Sequence, residues 1–179
     1  AISELIASGD LTGKAGEVGV VYPRGAVPAR RVLVVGLGKR DAFNLEGVRQ
    51  AAANGIKQAH KLKAKHVATI VHGAGIGGLD VQAAAQATVE GTLLALYRFA
   101  ATKQEPEPPH AIDSLTVVEF EASKVAAIEA GSAQAQAIVA GVTMARDLVN
   151  MPPNVATPTK LAETAVNIAD EHHLKVTIG

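Results

Sequence analysis

The chain has 179 residues, of which 48% are hydrophobic and 19% are charged, so it can bury one sizeable core and is too apolar for a disordered protein. The 17 basic residues balance the 17 acidic ones, and a formal net charge of +0 gives no general attraction to nucleic acid or anionic membranes. Cysteine is absent and aromatic residues make up 3%, which excludes thiolate metal sites and disfavours stacking on single-stranded nucleic acid. No uninterrupted apolar run has membrane-spanning length, and nothing at Ala1 resembles a signal peptide.

The first forty residues predict a helix end, a loop and two strands. Ala1 to Ser8 has the pattern of a helix whose start is missing, and a turn-rich stretch follows from Gly9. Gly9 and Gly13 are too close together for a phosphate-binding P-loop, so we predict none there. β-branched runs predict strands over residues 18–22 and 31–35, the second of them buried.

A strand–helix–strand unit is predicted next. Asn44 precedes a helix whose core-facing stripe recurs at helical spacing, and residues 66–72 have the composition of a buried strand. With the strand at 31–35, this order predicts a βαβ unit with a right-handed crossover. The stripe of the helix consists of Leu45, Val48, Ala52, Ile56 and Ala59.

The stretch Gly73–Gly78 satisfies the G-x-G-x-x-G pattern of a dinucleotide-binding turn. Its position between a strand and a helix capped by Asp80 would allow backbone N–H groups to bind ADP-ribose or another nucleotide. No second strand delivers an acidic residue at the expected distance, because one long helix to about Thr102 follows. We therefore favour a tight structural turn and keep ADP-ribose binding as the alternative.

The helix that starts at Asp80 is predicted to be a core helix, with one apolar face made by Val81, Ala85, Val89, Leu93, Leu96 and Phe99 with Ala100. Beyond it, prolines predict an extended loop over residues 103–110, and imperfect alternation predicts a strand over 114–121. A short helix over 124–130 capped by Ser123 follows, then an interruption at Gly131 and Ser132. A linker helix over 132–151 is predicted after that, with its apolar stripe made by Ile138, Val142, Ala145, Leu148 and Val149.

The stretch from Met144 to Pro158 is predicted to join two domains, because one helix ends and another begins within it. Pro152 and Pro153 end the linker helix near Asn150 and predict a stiff, extended connector with the character of a hinge. Thr157 and Pro158 suit the N-cap and first position of a new helix. Its apolar face is Leu161, Ala162, Ala165, Ile168 and Ala169, and Leu174 to Gly179 is predicted to be a strand.

No catalytic motif is found in this sequence. It lacks the H-E-x-x-H pattern of zinc peptidases and the G-x-S-x-G pattern of serine hydrolases. His60, His66 and His72 lack the spacing of metal ligands, so we expect them to be structural. His172 and His173 close a helix, where imidazolium complements the helix dipole, and we favour that role over metal binding. We therefore predict no catalytic, cofactor-binding or metal-binding residue here.

Three stretches resemble the leucyl aminopeptidase (cytosol aminopeptidase) family. The first joins Gly13-Lys14-x-Gly16 with Val35-Gly36-Leu37-Gly38-Lys39. The second is the helix segment from Glu90 to Phe99 followed by Lys103, similar to the family pattern E-G-x-x-L-x-x-Y-x-F then Lys. The third is Ala145-Arg146-Asp147-Leu148-Val149-Asn150 with Pro152, Asn154 and Thr157-Pro158. The three stretches occur in the same order as in the family, so the resemblance extends from about Gly13 to Gly179.

The resemblance implies the amino-terminal part of a hexameric, cytoplasmic exopeptidase that releases N-terminal residues, often leucine, from peptide substrates. Such enzymes use two divalent metal ions, zinc, manganese or magnesium, to polarise the scissile carbonyl and generate hydroxide. The family's ligand motifs, similar to V-G-K-G-x-T-F-D-x-G-G and N-T-D-A-E-G-R-L, are absent from this sequence. We therefore expect an inactive fragment without a metal site, serving hexamer assembly and access to the active site. Some relatives bind DNA, which the zero net charge does not favour here.

The resemblance also implies an α/β fold. We expect a three-layer, macro-domain-like domain over residues 1–131, with a mixed sheet flanked by helices and its first strand missing. The linker helix at 132–151 follows, and residues 152–179 are expected to be the truncated start of a catalytic α/β domain. A free-standing ADP-ribose-binding module and a purely structural assembly piece are the alternatives.

Overall fold

The computed structural model describes residues 2–75, 77–99 and 112–179, and these form an α/β chain. The predicted loop at 103–110 and Ile76 lie outside the described residues. Residues 2–97 and 112–139 belong to one compact unit, and residues 98–99 and 140–179 belong to a second. The elements are the helices α1 (Ile2–Ser8), α2 (Leu45–Lys61), α3 (Val81–Leu96), α4 (Ala122–Asn150) and α5 (Pro158–His172), the strands β1 (Val18–Val21), β2 (Val32–Val35), β3 (His66–Thr69) and β4 (Ser114–Val117), and a 3₁₀ turn at Arg40–Ala42.

The four strands form two separate pairs. β1 and β2 are antiparallel, with Val18 opposite Val35, whereas β3 and β4 are parallel, with His66 opposite Ser114. The parallel crossover is therefore β3–α3–β4, and the predicted pairing of β2 with β3 around α2 is not found among the described strands. The strands are also shorter than predicted, because pairing ends at Thr69 and Val117.

Helix α2 matches its prediction because its signals are local. The Asn44 side chain accepts a hydrogen bond from the Gly47 N–H at 3.0 Å and so satisfies one free donor of the first turn. The predicted stripe is confirmed at Val48, Ala52 and Ile56, which are all buried. The apolar face of α2 therefore anchors the first unit.

Helices α2 and α3 pack closely at Gly91. A Cβ atom on Gly91 would collide with the Arg49 carbonyl oxygen, so only glycine allows this approach of the two backbones. Thr88 is also buried, and its hydroxyl donates a hydrogen bond to the Ala84 carbonyl at 2.9 Å. The predicted core role of α3 is confirmed at Ala85 and Val89 and is wrong at Leu93, which is 37% exposed; the helix ends at Leu96 instead of continuing towards Thr102. Tyr97 is already extended, with ψ of 133°.

Helix α4 is one continuous helix of 29 residues, so the predicted interruption at Gly131 is wrong. Gly131 is buried against α3, and only glycine fits there because a Cβ atom would collide with the Gln82 carbonyl oxygen. The predicted Ser123 cap is wrong too, since the helix already includes Ala122. Glycine thus serves helix packing here, and it does not end the helix.

The inward face of α4 differs from the predicted one. Ile128, Gly131, Ala135 and Val139 are buried, whereas Ile138 is 41% exposed and Val149 is 85% exposed. The spacing of the apolar residues predicted a helix, but it did not predict which face of that helix is buried, because the burial depends on the neighbouring elements. By length and composition α4 could also cross a membrane, although it supplies its buried face to the first unit.

The junction after α4 is confirmed in its helix ends and corrected in its connector. α4 ends at Asn150, and α5 begins at Pro158 with the Thr157 side chain accepting from the Lys160 N–H at 3.2 Å. The connector is a turn, not an extended segment, because the Val155 N–H donates to the Pro152 carbonyl at 2.8 Å. Ala169 is the buried residue of the predicted α5 face, and Leu161 is 48% exposed.

The predicted strand over Leu174 to Gly179 is not formed. These residues carry no regular hydrogen-bond pattern, and Leu174, at 60% exposure, and Ile178, at 52%, face solvent. A strand needs a neighbour for its backbone hydrogen bonds, and none among the described residues pairs with this segment.

We predict that Gly91→Ala destabilises the chain by about 1–3 kcal/mol, because the added methyl forces α2 and α3 apart. Gly141→Ala is the matched control, since Gly141 also lies in a helix and no atom lies within 4 Å of its added Cβ. That substitution should be neutral or stabilising, because alanine is the better helix former. Urea unfolding followed by circular dichroism measures both, and equal stability of the two variants would contradict the packing argument.

Candidate functional site

The described residues hold no cluster of three or more His, Asp or Glu side chains that could bind a metal ion. His66 and His72 line the same cavity, but His66 Nδ1 lies 2.9 Å from the Ser114 hydroxyl. Burial lowers the pKa of His72 below its ordinary value of 6.5, which favours the neutral ring. His172 ends α5, and His173 caps it with its N–H donating to the Ala169 carbonyl. The two neighbouring histidines thus lie at the end of α5, as predicted.

The glycine-rich turn at Gly73–Gly78 is shaped by packing. A Cβ on Gly73 would lie 2.8 Å from Phe43 Cε1 and 2.7 Å from Leu79 Cδ1, and Gly73 has a φ of +84°. The Gly78 N–H donates to the Gly75 carbonyl at 3.2 Å, and the Leu79 N–H donates to the Gly73 carbonyl at 3.0 Å. These two N–H groups are therefore bonded within the turn, where a bound phosphate would need them free.

The start of α3, next to this turn, already holds an anion. The Asp80 carboxylate accepts a hydrogen bond from the Ala83 N–H at 2.9 Å. A phosphate at this helix start would meet that negative charge and would compete for the same donor. The geometry gives no support to the ADP-ribose alternative.

A second loop, residues 12–17, wraps around its own carboxylate. Glu17 Oε2 accepts hydrogen bonds from the N–H groups of Thr12 at 3.0 Å, Gly13 at 2.7 Å and Lys14 at 3.2 Å, and from the Thr12 hydroxyl at 3.0 Å. Consecutive N–H groups pointing to one anion form a nest, which is the arrangement that phosphate loops use. Here the anion is supplied by the chain itself.

This carboxylate nest packs against the turn after β2. The Gly38 N–H donates to the Gly13 carbonyl at 2.9 Å, and the Gly36 N–H donates to the Glu17 carbonyl at 2.8 Å. A Cβ on Gly36 would collide with the Lys14 carbonyl oxygen. The two halves of the first family-like motif, separated in sequence, are therefore in direct contact, and their glycines permit it.

The second family-like motif carries a buried ion pair. Glu90 has a side chain only 7% exposed, and its Oε2 lies 2.6 Å from Arg49 Nε on α2. Its other oxygen accepts from the Gln86 amide at 2.7 Å. A buried carboxylate needs such partners, because an unpaired one would lose its hydration without compensation. Spacing along one helix could not reveal this pair, since Arg49 lies 41 residues away.

An apolar cavity of about 830 Å³ lies between β2 and β3 within the first unit. We call it the interstrand cavity. Its walls are β-strand residues on both sides, and α2 forms its floor. The Arg31 guanidinium closes part of the wall by donating to the Leu62 carbonyl at 2.6 Å. Its lining combines apolar residues of β2, α2 and β3 with the basic residues Arg30, Arg31, Lys63 and Lys65.

Comparison with known proteins identifies the family. The family model described as "Cytosol aminopeptidase family, N-terminal domain" matches residues 1–106. The chain belongs to this family. The resemblance drawn from the three motifs is thereby confirmed.

Curated relatives match along almost the whole chain. The probable cytosol aminopeptidase of Roseiflexus castenholzii is 39% identical over 182 residues, covering 99% of this chain and 36% of the relative. That of Alkaliphilus oremlandii is 33% identical over 178 residues, with the same shares of 99% and 36%. The chain therefore spans about a third of the length of these relatives.

Solved structures share the fold. A mutant of tomato leucine aminopeptidase superposes with a TM-score of 0.79 at 26% identity, covering 96% of this chain and 33% of that protein. The bottromycin maturation enzyme BotP in complex with Mn gives a TM-score of 0.74 at 26% identity, covering 96% and 34%. These matches confirm the predicted α/β class.

We predict that Glu17 makes the chain sensitive to acid. Loss of surrounding solvent raises the pKa of this carboxyl, but hydrogen bonds from the Thr12 hydroxyl and from the N–H groups of Thr12, Gly13 and Lys14 lower it more strongly, below 4.5. Because the pKa is lowered by folding, the stabilisation is present above the unfolded value and is lost as pH falls through the folded one.

The measurement is urea unfolding of Glu17→Gln and the parent chain from about pH 7 to about pH 3. The parent should lose more stability on acidification than the variant. Glu129→Gln removes one charge on the exposed side of α4 and serves as the control, so an acid response of Glu17→Gln identical to that of this control would refute the role of the nest.

Proposed function

We propose that residues 1–179 form the non-catalytic N-terminal portion of a leucyl aminopeptidase, a two-metal exopeptidase that hydrolyses N-terminal residues, often leucine, from peptides. The observation that carries this proposal is the alignment of 99% of the chain with only 36% of a probable cytosol aminopeptidase. In the proposal the remaining length of such an enzyme carries the chemistry. The cytosolic name of the relatives supports a cytoplasmic location.

The metal chemistry is assigned to sequence outside this chain. Two-metal hydrolysis needs several carboxylate or imidazole ligands around ions about 4 Å apart. The described residues do not fit that requirement, because no three such side chains converge. The Mn bound by BotP supports divalent metal use by the longer enzyme, with manganese, zinc and magnesium as the candidates.

We assign the parts of the chain as follows. Residues 1–131 are the macro-domain-like N-terminal domain, 132–151 are the linker helix, and 152–179 are the start of the catalytic domain. The helical conformation of 132–150 and the capped start of α5 at Thr157 support the last two parts. The N-terminal domain would serve hexamer assembly and shape access to the active site, with no role for membranes or nucleic acid.

Hydrolysis of leucine p-nitroanilide with added manganese or zinc tests the catalytic part of the proposal. The longer polypeptide should be active, and residues 1–179 should show no metal-dependent turnover, because they lack a ligand set. Metal-dependent activity of residues 1–179 alone would overturn the assignment. In that case His172→Ala and His173→Ala would show whether the end of α5 is responsible.

Sedimentation analysis tests the assembly role. The longer polypeptide should sediment as a hexamer, and a version that begins after Asn150, where α4 ends, should form smaller species while keeping its helical circular dichroism. A hexamer that survives this truncation would contradict an assembly role and leave the aminopeptidase proposal intact.

A further inference from the structure

A second cavity of the first unit, of about 650 Å³, lies between β4 and α4. We call it the β4–α4 groove. Its volume falls within the range of about 300–1,000 Å³ that is usual for ligand clefts. Residues 116–119 form its strand side. Its helix side is a stripe of α4 at helical spacing, made by Val125, Ile128, Glu129, Ser132, Ala133 and Gln136.

β4 has one edge with which no described strand pairs. The Val118 N–H donates to the Thr69 carbonyl at 2.8 Å, so Val118, and Thr116 two positions before it, bond towards β3. Because backbone direction alternates along a strand, Leu115 and Val117 direct their N–H and C=O groups to the other edge. Val117 also lines the groove, so this edge borders it.

The edge of β4 is open to a peptide backbone. The strand Ser114–Val117 contains no charged residue or proline, which are the residue types that block pairing at edge strands. It lies at the surface, with Ser114 and Thr116 exposed and the two residues between and after them partly exposed. Peptide-binding domains add an extended peptide as a strand to such an edge, where backbone hydrogen bonds give affinity and side-chain pockets give specificity.

The lining of the groove combines apolar and acidic side chains. Ile128 is 7% exposed and belongs to the core cluster against which Val117 packs, so α4 is held close to β4. Val125 is 40% exposed, and Glu129 lies one helical turn after it. The described lining residues include two carboxylates, Glu119 and Glu129, and no basic side chain. The groove therefore favours a ligand that is both apolar and basic.

The turn after β4 fixes one of these carboxylates and exposes an aromatic ring. Glu119 Oε1 accepts hydrogen bonds from the Phe120 N–H at 2.8 Å and the Glu121 N–H at 3.0 Å. The N–H groups of Glu121 and Phe120 and the charge of Lys124 lower the pKa of Glu119 below 4.5, so its carboxylate is charged at neutral pH. Phe120 is 94% exposed, and aromatic residues are enriched in protein interfaces.

We propose that the β4–α4 groove binds an extended segment of a partner protein, which adds to β4 as a strand and carries a basic side chain two positions from an apolar one. The backbone of this segment bonds with Leu115 and Val117. Its apolar side chain packs on Val125, and its basic side chain reaches Glu129. This interaction goes beyond the proposed function and involves no catalytic residue.

The spacing along α4 selects this pair of side chains. Val125 and Glu129 are four residues apart, which is about 6 Å along a helix axis. Side chains two positions apart in a strand point to the same side and lie about 6.6 Å apart. One apolar and one basic side chain separated by a single residue therefore match the two contacts. Reversing the direction of the peptide gives the same pair in the opposite order.

The charge of the groove decides between possible occupants. Nucleic acid and anionic lipid carry the same sign as Glu119 and Glu129, so the groove repels them. A small apolar ligand offers no backbone for Leu115 and Val117. Two copies of this chain paired through β4 would bring the same carboxylates together, and like charges across an interface oppose binding. A basic segment of a different protein avoids all three conflicts.

The test uses residues 1–179 and an acetylated heptapeptide with valine at its centre, lysine two positions to either side and threonine elsewhere. This peptide presents the motif in both chain directions. At about ten times its Kd, it should slow amide exchange at Leu115 and Val117 about tenfold, because only about a tenth of the protein is then free. The amides of Thr116 and Val118 already bond to β3, so their exchange should change much less.

Two control peptides separate charge from spacing. A peptide with glutamate in place of both lysines should bind about tenfold more weakly, because it meets like charge. A peptide with both lysines moved next to the valine keeps the composition and charge but places the lysines on the opposite face of the strand. It should also bind about tenfold more weakly.

Charge reversal on α4 provides the second arm. Glu129→Lys should weaken binding of the lysine peptide about tenfold and strengthen binding of the glutamate peptide, an exchange of preference that misfolding would not produce. Glu171→Lys makes the same charge change at an exposed residue of α5 outside the groove. It is the matched control and should leave both affinities unchanged.

Three results would overturn the inference. Unchanged exchange of Leu115 and Val117 at saturating peptide would show that no strand is added. Equal affinity for the two lysine peptides, or no effect of Glu129→Lys, would show that the groove does not select the motif. Protection of these amides that rises with protein concentration without peptide would identify a second copy as the occupant. The acetylated peptides have no free N-terminus for an aminopeptidase, so the proposed function is tested separately.

Discussion

The contact between α2 and α3 at Gly91 is the constraint on which the first unit depends. The bare backbone of Gly91 lets the Arg49 carbonyl approach, and this approach brings Arg49 Nε within 2.6 Å of Glu90. A larger residue would separate the helices and leave the Glu90 carboxylate buried without its cation. α2 also packs against β1 and β2 and lines the interstrand cavity, so this crossing lies next to the strands of the first unit.

Local signals made part of the structure predictable. Asp80 and Thr157 were identified as caps because a capping side chain acts within three residues of its own position. Pro152 and Pro158 fixed the end of α4 and the start of α5 for the same reason. In each case the free energy that decides the structure comes from neighbours in sequence.

Features that depend on distant partners were missed or wrong. The inward face of α4 was assigned to Ile138 and Val149, but the buried residues are Gly131, which packs against α3, and Val139. Gly131 was taken as an interruption because glycine weakens an isolated helix, yet a neighbouring helix makes it necessary. The strand expected over residues 174–179 has a strand-like composition but no described neighbour. Composition states what a segment can form, and pairing decides whether it does.

The candidate sites divide in the same way. The absence of hydrolase motifs could be established from sequence, because those motifs are contiguous. The nest of N–H groups around Glu17 could not be predicted, although its residues lie within six positions. The pair Gly13-Lys14 does not indicate which anion its N–H groups bind.

The continuity of α4 has a consequence for dissecting this chain. One boundary between the two compact units, at residues 139–140, lies inside the 29-residue helix and not in a loop. Proteases need an extended substrate, and a helix must unwind locally before it can be cut. Limited digestion should therefore be slow at this boundary. A truncation placed there would leave a frayed helix end on each product, which makes the turn after Asn150 the better place to divide the chain.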